Sequence, residues 1–374
     1  MDDPRSDTNP LFNANKLKLG IFGTNGPGVA FTHVPELFKP TWKNSSQIAV
    51  QADRLGIETI VPYARWKAMG TSDHSRSFET TTWAAALSDR VDYSSVMSTM
   101  HIQAYHPVIA AKTAVSVDQI SNGRFAINIV CGWFKAEIEM FGQQLRAHED
   151  RYAAADEWIT LMKRLWTEDD PVNFSGQYYQ VADARIEPRP VQSGGPALMN
   201  AGGSERGRHF CAKNVDIAFI FVTNPEPDAL RANVEAYKRL AREEYGREIQ
   251  VWVHTYVVQR DTIADAKKYV DYYVLERGDT QMADTFIEGN IENARTAPPE
   301  VMQKMRYAMM AGSGGFPLLG NSDDITESLR TLSACGIDGA LLTWVEYAPG
   351  LELFSTTVLP RLEQLGLRAP AKRV

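Results

Sequence analysis

Cysteine is scarce in this chain of 374 residues: the three present, Cys131, Cys211 and Cys335, lie far apart and form no CxxC pair. That spacing excludes a disulfide framework and a cysteine-built structural zinc site, and it fits a reducing cytoplasm. No apolar run is long enough to span a bilayer. The first residues, MDDPRSDTNPLFNANK, are polar and acidic where a signal peptide is basic and then apolar. Basic clusters are missing as well. With a net charge of -7 and dispersed Lys and Arg, the chain carries no footprint for nucleic acid or for an anionic membrane. The seven histidines show no HxH or HExxH spacing, so no metal site is expected. These absences predict an acidic cytoplasmic protein whose residues 1 to about 15 form a flexible arm.

What is present is apolar residue in quantity, 44% of the chain, enough for a large core. It is distributed in short runs that alternate with helical periodicity. Strands are expected at Lys16 to Phe22, Thr59 to Pro62, Tyr93 to Met97, Phe125 to Val130, Ala197 to Ala201, Ile217 to Phe221, Gln250 to Val258 and Gly339 to Thr343. Helical pattern follows each, beginning with a helix that Asn44 or Ser45 could cap. Eight such units favour an α/β fold of the TIM (β/α)8 barrel type over an open doubly wound sheet. The barrel is expected to occupy residues 16–374, with insertions at about 173–191 and 277–320. The first insertion is rich in aromatics and turn residues and reads as a small hairpin. The second carries Pro298-Pro299 and Gly312 to Gly315 and reads as a lid or an oligomer arm.

In such a barrel the residues just beyond each strand form the active face. They are Asn25, Arg65, Trp66, Thr99, Asn128 to Trp133, Gly202 to Ser204, Thr223-Asn224 and Trp344 to Glu346. Aromatics, amides and hydroxyls with one Arg suit a planar, hydrogen-bonding organic ligand better than a metal. Asn128 stands inside an apolar strand, where a buried amide needs a partner. The run Asn200 to Gly207 ends a strand and opens a helix. Ser204 there could bind a phosphate at the helix N-terminus or could simply cap the helix, and spacing alone does not separate the two. Cys131 has no histidine near it in sequence, so an inert thiol is expected.

Four stretches together, DQISNGRFAINIVCGWFKAE, HEDRYAAADEWITLMKRLW, AGGSERGR and GIDGALLTW, give the chain a specific likeness. It resembles the bacterial luciferase-like flavin-dependent monooxygenases, nearest the branch with pyrimidine, dimethyl sulfone and alkanesulfonate monooxygenases. The resemblance runs from about Leu17 to Leu365. It implies a TIM barrel that binds FMN at its C-terminal face through Ala64, Arg65, Asn128, Glu137, Arg151, Tyr152 and Ser204. Thr99, Asn128 and Trp133 then belong to the catalytic pocket. It also implies reduced FMN supplied by a separate NAD(P)H-dependent flavin reductase, O2 as co-substrate, a small organosulfur or nitrogen-containing substrate, and a homodimer or homotetramer. An F420-dependent oxidoreductase and a non-catalytic flavin-binding relative are the alternative readings. Cys131 departs from the Ser or Thr common at that position in the family.

Overall fold

The computed structural model describes residues 3–69, 74–290 and 298–370. Its central feature is a closed parallel barrel whose strands are β1 (Lys18–Phe22), β2 (Thr59–Val61), β3 (Ser95–His101), β4 (Phe125–Val130), β7 (Ala197–Asn200), β8 (Ile217–Ile220), β9 (Gln250–Gln259) and β11 (Gly339–Leu342). The ring closes where Lys18 of β1 pairs with Gly339 of β11. Its longest ladder joins β3 to β4, from Val96 opposite Phe125 to His101 opposite Val130. Helices α1 (Trp42–Arg54), α2 (Thr80–Ser88), α3 (Pro107–Ile120), α4 (Lys135–Met140), α5 (His148–Thr167), α6 (Glu205–Asn214), α7 (Pro227–Tyr245), α8 (Ile263–Asp271), α9 (Thr280–Asn290), α10 (Pro299–Gly312), α11 (Ser322–Ala334), α12 (Tyr347–Thr357) and α13 (Leu359–Gln364) complete the chain. The expected eight-stranded α/β barrel is the fold observed.

The two expected insertions take definite forms. Strands β5 (Val172–Ser175) and β6 (Gln180–Ala184) make the antiparallel hairpin. Residues 277–320 contribute α9, α10 and β10 (Phe316–Gly320), which pairs with the outer half of β9 beyond the barrel. The stretch 291–297 lies outside the described residues. Ala283 and Met282 of α9 and Met310 and Ala311 of α10 pack with Ala30, Phe31 and Val34 from the loop after β1, a second apolar cluster above the barrel mouth.

Inside the barrel, Val61, Met97, Ala126, Met199, Phe219, Trp252 and Leu341 form one apolar layer, and Leu11 joins it fully buried. This corrects the reading of residues 1 to about 15 as a flexible arm. Asn9 caps a short 3-10 turn over Pro10–Phe12, and the Leu11 carbonyl accepts from Gln250 Nε2 at 2.7 Å. Gln250 opens β9, so Leu11 sits at the N-terminal end of the barrel. Arg5 pairs with Asp216 at 2.8 Å, anchoring the segment further. Burying one leucine in such a layer is worth about 1.5–3 kcal/mol.

Two local differences have clear causes. The first helix is capped by Thr41, whose hydroxyl accepts from Asn44 N, while Ser45 Oγ instead donates to the Thr24 carbonyl and accepts from Trp83 Nε1. Strand β3 begins at Ser95 because the Asp53 carboxylate draws the backbone N–H groups of Asp92, Tyr93 and Ser94 out of the ladder.

Candidate active site

The C-terminal mouth of the barrel opens into a cavity of about 410 Å³. Ala64, Arg65, Thr99, Asn128, Trp133, Arg151, Tyr152 and Ser204 all line it, drawn from segments spread over 140 positions of sequence. Glu137 is the exception among the expected site residues. Its buried carboxylate accepts from Trp66 N at 2.5 Å and Lys67 N at 3.1 Å through Oε1, and Oε2 lies 2.8 Å from His101 Nδ1. Glu137 therefore stands behind the wall, holding the loop after β2 and the His101 ring. Burial works to raise its pKa, but the His101 hydrogen bond and charge and the two amides more than offset this and hold the carboxyl below its ordinary range.

The floor is set by β3 and β4. Thr99 Oγ1 donates to the Pro62 carbonyl at 2.5 Å, so its only hydroxyl proton is committed. The hydroxyl can then only accept from Asn128, and Asn128 Nδ2 lies 3.3 Å away. That fixes which way the amide points. Asn128 Oδ1 is buried with no hydrogen-bond partner among the described residues. An unsatisfied buried amide oxygen costs about 1–3 kcal/mol, so it marks a place where a ligand donor is expected.

Another part of the wall is the N-terminus of α6. Ser204 caps it, accepting from Gly207 N at 3.1 Å, and its hydroxyl also meets His148 Nε2 at 3.1 Å. A Cβ on Gly207 would come 2.6 Å from the Tyr152 hydroxyl and 2.8 Å from the Gly202 backbone. Glycine is thus required for α6 to approach both the tyrosine and the strand end. Burial pushes the Tyr152 phenol up, keeping it a neutral donor. Arg151 donates to the Gly132 carbonyl and keeps its Nε buried and unpartnered among the described residues. Gly132 itself has φ of +98° and fits against the Gln103 amide, where a Cβ would lie 2.5 Å from it. The break after β4 is therefore a glycine turn that the arginine clamps.

Arg65 donates to the His74 carbonyl at 3.0 Å and lies over the Tyr63 ring. The remaining walls are apolar: Phe22, Phe31, Phe219, Phe221 and Phe286 join Trp133, whose ring centroid is 5.0 Å from that of Phe286. His254 lies among Phe22 and Phe219, fully buried and uncharged, its pKa pushed down to about 3 by burial. Cys131 lines the cavity too, but burial first, then Cys211 and Asp156, raise its thiol, so it stays protonated as expected. Thr223, Asn224 and Trp344 to Glu346 do not line this cavity, nor does Asn25, which instead ties the loops after β1 and β2 by bonding the Tyr63 and Phe78 carbonyls.

Sequence reasoning passed over His254, Phe286 and Tyr63. His254 had a signal. It shares the alternating face of β9 with Trp252, which points into the barrel, so a histidine there had to face the interior as well. Phe286 had none, since only tertiary packing brings α9 over the mouth. Spacing also gave no hint that His33, His74 and Asp279 place ligand-type atoms within 4.8 Å of one another. There Asp279 accepts from Met282 N, and His74 Nε2 bonds the Thr32 backbone.

A family profile described as luciferase-like monooxygenase matches residues 17–339. The FMNH2-dependent dimethylsulfone monooxygenase of Pseudomonas putida is 26% identical over 325 residues, covering 85% of this chain and 87% of that protein. Pyrimidine monooxygenase RutA of Klebsiella variicola is 25% identical over 96% of this chain and 99% of its own. Among solved structures, a riboflavin lyase with modified FMN and riboflavin superposes with a TM-score of 0.83 at 20% identity, over 95% of this chain and 93% of that one.

Proposed function

This chain belongs to the luciferase-like monooxygenase family, and from that premise we propose that it is the oxygenase of a two-component system. It takes FMNH2 from a separate NAD(P)H-dependent reductase and uses O2 to oxygenate a small organosulfur or nitrogen-containing substrate, with C–S or C–N cleavage as the outcome on substrates that carry such a bond at the oxidised atom. The observation that carries the reading is a cavity lined both by Asn128, whose buried Oδ1 has no hydrogen-bond partner among the described residues, and by the Ser204-capped N-terminus of α6. A flavin mononucleotide suits both: a planar ring with hydrogen-bond donors at one end and a dianionic phosphate at the other.

The residues fit the group. Ser204, Tyr152 and the free N–H groups of α6 offer neutral donors and a positive dipole end to the phosphate, with His148 beside them. Ala64 adds little bulk to the wall, Asn128 offers an acceptor and Arg65 a donor fork. Reduced FMN, when bound, supplies the two electrons that send one atom of O2 into the substrate and the other into water. The chain itself binds, orients and keeps the site dry. The aromatic wall of Phe22, Phe31, Trp133, Phe219, Phe221 and Phe286 excludes water, and Phe286 on α9 supports reading the second insertion as a lid.

Purified protein given photoreduced FMN, oxygen-18 gas and a panel of sulfones, sulfonates, uracils and cyclic amides tests this. A labelled product is expected from at least one class; tight binding of oxidised FMN with no labelled product from any would overturn it in favour of a non-catalytic flavin carrier.

A further inference from the structure

We propose that His101, held by Glu137, is a proton-accepting catalytic residue of this site, and that its substrate carries an acidic N–H next to a sulfonyl or carbonyl group. The inference rests on the oxygenation reading above and extends it.

The geometry is that of an imidazole with a fixed tautomer. Glu137 takes two backbone N–H groups on Oε1 and His101 Nδ1, 2.8 Å away, on Oε2. An ionised carboxylate only accepts, so the ring proton sits on Nδ1. In the neutral ring the other nitrogen is then a bare lone pair. His101 lines the cavity, 5% exposed, and no described residue hydrogen-bonds its Nε2. On β3 it follows Thr99 by two positions, so both face the interior, and on β4 Asn128 stands opposite Thr99. His101 and Asn128 therefore line the same side of the cavity. An imidazole acceptor in an apolar chamber selects a ligand that brings a donor.

The step this permits is a simple transfer. The substrate X–H bond breaks, its electron pair stays on X, and the proton passes to Nε2. The imidazolium that forms is stabilised by the Glu137 carboxylate at Nδ1, and the ring later returns the proton to product or solvent. Imidazole is a weak base, so X–H must already be acidified by an electron-withdrawing neighbour, which is what sets the substrate class. Glu137 touches no ligand in this scheme; it is a positioning residue acting through His101.

Nitrogen-15 histidine NMR on the flavin-free protein tests the tautomer directly. The wild type is expected to carry the proton of neutral His101 on Nδ1. In Glu137→Gln the amide NH2 faces the ring and drives the proton to Nε2, turning the acceptor into a donor. A wild-type ring protonated at Nε2 overturns the proposal whatever the flavin does. With photoreduced FMN, oxygen, and uracil and a cyclic imide as probes, His101→Gln and Glu137→Gln should each lower kcat on the order of a hundredfold or more. KM and the affinity for oxidised FMN should change little, and added imidazole should restore part of the rate in His101→Gly. Loss of FMN affinity in step with rate, or no imidazole rescue, would reduce His101 to a structural role. If the wild type binds FMN but oxidises neither probe nor any of the wider panel, the oxygenation reading fails, while the tautomer result still decides the pair.

Discussion

The Asn128 amide nitrogen lies 3.3 Å from the Thr99 hydroxyl, and that hydroxyl has already given its proton to the Pro62 carbonyl. One side chain thereby dictates the orientation of another, and the amide oxygen is left buried without a partner among the described residues.

Thr99→Val keeps the shape and removes the relay. It strands the buried Pro62 carbonyl and lets the Asn128 amide turn over, so urea denaturation should show a loss of about 1–3 kcal/mol. FMN titration should show weaker binding in the same variant. Thr99→Ser keeps the hydroxyl and should stay close to wild type on both measurements.

Ser204→Ala should separate two roles within the site. Losing the cap costs about 1 kcal/mol of stability, and losing the phosphate donor should weaken FMN by about tenfold, or about 1.4 kcal/mol. Riboflavin, which lacks the phosphate, should bind this variant almost as it binds wild type. Asn128→Ala should do the reverse, lowering turnover more than FMN affinity. Equal effects on both quantities in both variants would remove the division of roles.

Phe286→Ala should open the aromatic cover formed with Trp133 and Phe31. Water then reaches the reacting centre, and a larger share of the reducing equivalents should appear as hydrogen peroxide instead of oxygenated product. A peroxide assay run beside product analysis reads the ratio. FMN affinity should change little, because the ring offers the phosphate no donor.

Acid should act through Glu137. Its folded-state pKa lies below the ordinary value even though burial alone would raise it, because His101 and the Lys67 and Trp66 amides favour the ionised form. Such a group contributes stability fully above its unfolded value, near 4.3, and that contribution disappears as pH falls through the lower, folded value. Denaturant titrations from pH 6 downward should therefore show wild type losing stability below about 4.3. Glu137→Gln, less stable at the start, should lose less across the same window.

The barrel was legible because eight apolar runs, each followed by helical periodicity, leave little choice of topology. Features that failed to show in sequence were those decided by distant partners. Leu11 sits in a polar stretch with no periodicity of its own, and distant partners such as Gln192 on Asn9, Gln250 on Leu11 and Asp216 on Arg5 fasten it beneath the barrel. Ser45 looked like a cap and was recruited by Thr24 and Trp83 instead. Within the site, Thr99 and Ser204 could be listed because the fold assigns the residues at and beyond the C-terminal part of each strand to the active face, and Asn128 because an amide inside an apolar strand needs a partner. Glu137 was expected at the ligand; from the first turn of α4 its carboxylate bonds His101 and does not line the cavity. Phe286 lies on an inserted helix whose docking depends on a second apolar cluster, and no local pattern encodes that.

Leu11 and Trp252 stopper the lower end of the barrel, while the cavity opens at the other. Among the described residues the vessel is stoppered below, and its contents face the C-terminal mouth. For compounds that come and go by that mouth, whatever settles deepest arrives first and departs last.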